Sequence, residues 1–173
     1  MIKLDISDLS WQLNKSFNIS RGSKNTAETI EVKLTENKFT GIGECVPYGR
    51  YDETLESVQK EILELKDGIE NLEINKKNLD QFINNGAARN AIDCALWDLE
   101  SKKKKESVWS ILNIQKPQEI PSSYTVVLDD PDKMIEDIYQ HREFPTIKIK
   151  VDNQNLERIL TNARESLPNT TII

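Results

Sequence analysis

Thr146-Ile147-Lys148-Ile149-Lys150-Val151 is the stretch that decides how the chain folds. It alternates with period two, as a strand does. Ile147, Ile149 and Val151 fall on one face, Lys148 and Lys150 on the other. Two ammonium groups side by side repel, so the lysine face needs a reason to exist. Water is one reason: an amphipathic or edge strand carries lysines as protection against pairing. A site is the other: in a barrel strand the aliphatics lie outward under helices and the lysines point inward. The flanking sequence bears on the choice. Upstream, Ser123-Tyr124-Thr125-Val126-Val127-Leu128 reads as a strand. Asp129-Asp130-Pro131-Asp132 then opens a helix running to about His141, with Pro131 at a tolerated first-turn position and Met134 and Ile138 inward. Downstream, a helix covers about Asn153 to Ser166, with Leu156, Ile159, Leu160 and Ala163 on one face, and Thr170 to Ile173 begins a third strand. This β-α-β-α-β order predicts a parallel sheet with helices over it. His141, the one histidine, falls near a helix end and reads as a surface residue.

The preceding residues follow another pattern. Residues 2–13 alternate as a strand, and Lys15 to Asn25 is polar enough to read as a loop of about ten residues, a candidate binding loop with Arg21 at its centre. A solvated arginine on such a loop is the alternative for Arg21. Thr29 to Leu34 and Phe39 to Val46 form a hairpin, in which Gly41 and Gly43 point to a bulge or to close packing of another backbone. Glu44 sits among apolar neighbours as a hydrogen-bonded structural carboxylate or a site residue. Pro47 to Tyr51 is an aromatic loop, a candidate lid containing Tyr48.

Asp52 is the expected N-cap of a helix with Leu55, Val58, Ile62, Leu65 and Ile69 inward, ending near Gly68. A shorter helix is expected over about Lys76 to Asn84. Ala87 to Leu99 reads as an Ala-rich helix whose small residues admit a close neighbour, with Arg89 and Asp93 spaced to pair. Asp93 and Asp98 lie about 140° apart round that helix and do not converge as a catalytic pair. Lys102 to Lys105 reads as a solvated cap on the helix dipole. Lys116 to Pro121 is a linker, placing a domain boundary between 1–116 and 121–173.

Composition narrows the classes. The chain has 173 residues, 37% hydrophobic and 30% charged, which fits a globular protein. A net charge of −6 argues against nucleic acid as partner, and no apolar run approaches membrane-helix length. The N-terminus lacks signal-peptide features. Cys45 and Cys94, in apolar contexts, read as buried reduced thiols of a cytoplasmic protein. With one histidine and no CxxC, a metal would need carboxylates, which favours Mg²⁺ or a similar hard ion.

Four segments together resemble the enolase superfamily. They are Gly41 to Pro47, Ala88 to Leu99, Ser123 to Leu128 and Ile147 to Val151. Within it the chain is similar to the muconate-lactonizing-enzyme subgroup, and to dipeptide epimerases of the L-Ala-D/L-Glu type through Arg21 and Thr125. The resemblance implies an α+β capping domain of antiparallel strands and helices, followed by the first βαβαβ portion of a (β/α)8 TIM-like barrel. It implies a Mg²⁺-dependent isomerase acting on a small dipeptide with an acidic residue. Lys150 would exchange the α-proton, and Lys148 would lie beside the substrate carboxylate and ease deprotonation of Lys150. Arg21 would meet the acidic side chain, and Thr125 and Tyr48 would border the pocket. No metal ligand falls within the chain; the family's carboxylates and opposing lysine are expected beyond Ile173. A full barrel needs eight strands. The chain is therefore expected to be the N-terminal part of a longer protein, or to have its missing half supplied by another chain, and to be inactive alone; its expected protein partner is a second copy of itself or a complementing C-terminal half. The alternatives are an o-succinylbenzoate synthase-like lyase or cycloisomerase, and a truncated non-catalytic interaction module.

Overall fold

A computed structural model describes residues 1–19, 22–153 and 155–173, and divides the chain into two units. Unit one comprises Met1–Trp11 and Thr26–Pro117; unit two comprises Gln12–Asn25 and Gln118–Ile173.

Strands β1 (Lys3–Ile19), β2 (Gly22–Glu36) and β3 (Phe39–Cys45) form one sheet in that order. β2 and β3 run antiparallel, from Ile30 opposite Cys45 to Glu36 opposite Phe39. The loop expected over Lys15 to Asn25 is therefore corrected: β1 continues to Ile19 and β2 begins at Gly22. The segment is polar, but its polar groups bond across the strands. Gln12 Nε2 donates to Asn25 O at 3.0 Å, Ser16 Oγ to Asn25 Oδ1 at 2.6 Å and Ser23 Oγ to Asn18 Oδ1 at 2.6 Å. Side-chain polarity alone did not reveal a ladder whose pairs need no apolar face.

Helix α1 (Leu55–Glu64) begins at Thr54, which forms a reciprocal cap with Ser57. Asp52, the expected cap, has a left-handed backbone (φ 59°) and closes the short turn Gly49–Tyr51. The expected helix to Gly68 breaks at Leu65 into α1 and α2 (Lys66–Glu70). The helix expected over Lys76 to Asn84 is a single tight turn, Leu79–Gln81, because the Asn75 and Asn78 side chains bond local backbone and hold turns.

Helix α3 (Ala87–Lys104) is the Ala-rich helix, and α4 (Val108–Ile111) follows it. Its small face meets β3. A Cβ placed on Gly41 would lie 2.2 Å from Ala95 O, and one on Gly43 2.0 Å from Ala91 O, so both glycines are required for this approach. Ile30, Val32, Leu34, Ile62, Ile69 and Ile92 are fully buried in the core of this unit. Cys45 joins that core, but Cys94 is exposed, correcting its expected burial: it lies off the stripe made by Ala91, Ala95 and Leu99. Arg89 donates to Asn85 Oδ1 at 2.6 Å.

Unit two holds β4 (Ser123–Val126), β5 (Thr146–Ile149) and β6 (Thr171–Ile172), all parallel in the order β4-β5-β6. Helices α5 (Pro131–Gln140) and α6 (Leu156–Ser166) alternate with the strands. The Asp130 side chain caps α5 by accepting from Asp132 N–H at 2.9 Å. Val126, Met134, Ile138, Ile147 and Ile159 fill the second core. Leu156 and Leu160, expected on the buried face of α6 beside Ile159 and Ala163, are exposed. Among the described residues, no helix is long and apolar enough to cross a membrane.

Candidate active site

The lysine strand takes the orientation its alternation requires. Ile147 is fully buried and Ile149 nearly so, both in the core beneath the helices. Lys148 and Lys150 are half-buried on the opposite face. Lys150 lies one residue past β5, yet its N–H donates to Val126 O at 2.9 Å, so the strand geometry continues through it. Successive same-face side chains on a strand stand about 7 Å apart, which lets both amines reach one small molecule.

The parallel register extends that face sideways. Thr125 on β4 is the partner of Lys148, so the two side chains share the lysine face. On the other flank, Ile173 N–H donates to Ile147 O at 3.1 Å, and Ile149 N–H donates to Ile173 O at 2.8 Å. Ile173 thus brackets Lys148, giving the row Thr125, Lys148, Ile173 across the sheet with Lys150 one step further along. Of the residues expected at the site, the structure brings together Lys148, Lys150 and Thr125. Tyr48 belongs to unit one, where it is exposed. Its N–H donates to Glu53 Oε2 at 3.0 Å and its ring lies 5.8 Å from that of Tyr51. Arg21 lies outside the described residues.

Glu44 is hydrogen-bonded as a structural carboxylate is. One of its oxygens accepts from Trp11 Nε1 at 2.8 Å and from Thr29 Oγ1 at 2.6 Å. The bonds from Thr29 and then Trp11 hold its carboxyl below the usual range.

A polar cluster in unit two carries little signal in the sequence. Lys15 Nζ donates to Tyr124 Oη at 2.8 Å and to Asp137 Oδ2 at 2.7 Å, and Tyr124 Oη donates to Asp137 Oδ1 at 3.0 Å. His141, expected at the surface, is half-buried: its ring stacks on Tyr124 with centroids 3.6 Å apart and planes 7° apart. Burial works against the Lys15 ammonium, but the hydrogen bonds to Asp137 and Tyr124 outweigh it and hold that group above its usual range. The four-residue spacing of Asp137 and His141 on a helix was the one readable hint.

Among the described residues, no group of three or more His, Cys, Asp or Glu stands together as a metal site.

Residues 1–113 match the family described as mandelate racemase / muconate lactonizing enzyme, N-terminal domain. The L-Ala-D/L-Glu epimerase of Escherichia coli K12 is 34% identical over 167 residues, which is 95% of this chain and 51% of that protein. The N-acetyl-D-glutamate racemase of a Pseudoalteromonas species is 33% identical, covering 83% of this chain and 46% of its own length. Among solved structures, an enolase family member from Agrobacterium tumefaciens with homology to dipeptide epimerases, holding sodium and L-Ala-L-Glu, superposes with a TM-score of 0.91 at 35% identity, covering 99% of this chain and 52% of that one. A Cytophaga hutchinsonii dipeptide epimerase, complexed with Mg and D-Ala-L-Val, gives 0.82 at 25% identity, covering 99% and 50%. The chain spans about half the length of the curated relatives it matches.

Proposed function

The chain belongs to the mandelate racemase and muconate lactonizing enzyme family of the enolase superfamily, as the N-terminal part of such a protein, and we propose that the protein is a dipeptide epimerase in which this chain carries one of the two proton-exchanging bases. The observation that carries the reading is the half-buried row of Thr125 and Lys148, with Lys150 following on the same face. Lys150 Nζ takes the α-proton of the substrate: the Cα–H bond breaks, an N–H bond forms, and the electron pair passes onto the adjacent carboxylate as an enediolate. Return of a proton to the other face inverts the centre, and that proton comes from an opposing base C-terminal of Ile173. Lys148 faces the substrate carboxylate, where its charge offsets the growing negative charge.

Mg²⁺ belongs to the same reading, supported by the relatives whose structures contain it. When bound, such an ion stabilises the doubly charged enediolate. Its ligands would come from beyond Ile173. Arg21 selects an acidic second residue in the dipeptide, with Thr125 as a further substrate contact. The relatives that act on glutamate-containing compounds favour that preference. Residues 1–116 would form the capping domain and 121–173 the start of the barrel, in a cytoplasmic protein whose two cysteines stay reduced.

The test supplies the remaining barrel strands and follows solvent deuterium entering the α-position of Ala-Glu-type dipeptides. Exchange is expected, and Lys150→Ala should lower it by about 10³-fold or more, as loss of a proton-transfer group does. Full exchange in Lys150→Ala overturns the assignment of the base. Exchange on N-acylated glutamate but on no dipeptide overturns the substrate class.

A further inference from the structure

The segment Gln12–Asn25 belongs to unit two, although the chain on both sides of it, Met1–Trp11 and Thr26 onward, belongs to unit one. Apolar burial does not explain this membership: Lys15, Ser16, Phe17, Ser23 and Asn25 are exposed. Polar bonds do. Asn18 O accepts from Leu128 N–H at 3.1 Å, just past the end of β4. Three residues nearer Trp11, Lys15 Nζ bonds both Tyr124 and Asp137.

The receiving end is built without help from Lys15. Tyr124 Oη and Asp137 bond each other, and His141 packs flat on the Tyr124 ring. His141 Nδ1 lies 2.9 Å from Asp137 O, and Phe144 packs 5.4 Å from the Tyr124 ring. An exposed ion pair alone contributes little, largely because both side chains lose freedom. Here two of the three groups are already fixed, so only Lys15 is ordered on contact. Lys15 also borders a cleft of about 280 Å³, with Val127, Asp129, Lys133, Met134 and Asp137 among its walls.

We propose that Lys15 is a positioning residue: with Tyr124 and Asp137 it moors the β1–β2 segment Gln12–Asn25 on β4 and α5, the same β4 that carries Thr125. The Asn18–Leu128 bond sets the end of β1 just past the C-terminal end of β4, beyond Thr125, so its anchor governs substrate affinity rather than the chemical step. That kinetic consequence rests on the epimerase reading; the mooring itself does not.

Hydrogen exchange of the 173-residue chain tests it. In Lys15→Met, peptides covering 12–19 and 22–25 should exchange about five-fold faster, as loss of roughly 1 kcal/mol of local stabilisation requires, while peptides of α3 keep their protection. Lys15→Arg should restore it, since a guanidinium carries enough donors for both acceptors. Unchanged exchange in Lys15→Met overturns the mooring, and so does a change that Lys15→Arg fails to rescue. In the barrel-completed enzyme, Lys15→Met should raise KM about ten-fold with kcat within about two-fold, the signature of binding lost equally from ground and transition state. A loosened segment with unchanged KM overturns the positioning role. If no dipeptide turns over, the epimerase reading falls, and the exchange pattern alone decides the mooring.

Discussion

Cys45 and Cys94 show how one residue type acquires two chemistries from burial. Burial first, and then the neighbouring Glu53 carboxylate, push the Cys45 thiol up from 9.0 to about 11. Cys94 is exposed on α3, and its thiol is raised by its partial burial and by Asp93. Ellman's reagent on native protein at pH 8 should therefore titrate one thiol quickly, and Cys94→Ser should abolish that phase. Cys45 also gives a pH dependence of known sign. The unfolded thiol loses its proton before the folded one, so its contribution to stability is whole below about pH 9 and is lost as pH rises towards 11. Urea midpoints at pH 8 and pH 10.5 should fall further in the wild type than in Cys45→Ala. An equal fall in both proteins would show that Cys45 does not titrate with unfolding.

The start of α1 separates two caps that look alike on paper. Thr54 accepts from Ser57 N–H at 3.1 Å, while Asp52 sits two residues earlier in a left-handed conformation. Thr54→Ala should cost about 1 kcal/mol in a urea melt, and Asp52→Gly should cost little or add stability, because glycine adopts positive φ freely. A larger loss in Asp52→Gly than in Thr54→Ala would return the cap to Asp52. Sequence favoured Asp52 because composition names good cap residues but not the backbone angle that decides which one caps. The same limit hid the strand ends at Lys15 to Asn25, where exposed polar groups pair with one another. Where burial enforces a period, the reading held: β5 and β4 follow from alternation, and the fit of α3 to β3 follows from Ala91 and Ala95 meeting Gly41 and Gly43. The shared face of Lys148 and Lys150 was legible in the period-two alternation of their strand, whereas the pairing of Thr125 with Lys148 depends on a register that one strand's sequence does not carry. Lys15 was not legible, since its partners lie 109 and 122 residues away.

At the scale of the whole molecule, the chain builds two apolar clusters that share no residue among those described. Ile92 is fully buried in one and Ile147 in the other. Truncating either to alanine should cost about 2–5 kcal/mol, the usual range for a buried isoleucine. Hydrogen exchange gives the location of the loss. Ile92→Ala should speed exchange in α1, α3 and β3, and Ile147→Ala in β4 to β6, α5 and α6. Spread of either effect evenly over all elements would mean that one cooperative core replaces two.

Strand β1 is continuous, yet Met1–Trp11 and Gln12–Asn25 belong to different units. For gene dissection this means that the units cannot be parted at the linker near Pro117. A fragment beginning there would lack fourteen residues of its own unit, Lys15 among them. A faithful minigene for the C-terminal unit would have to splice Gln12–Asn25 ahead of Gln118, and any split-protein pair built from this chain would need its breakpoints at Trp11 and Thr26 as well.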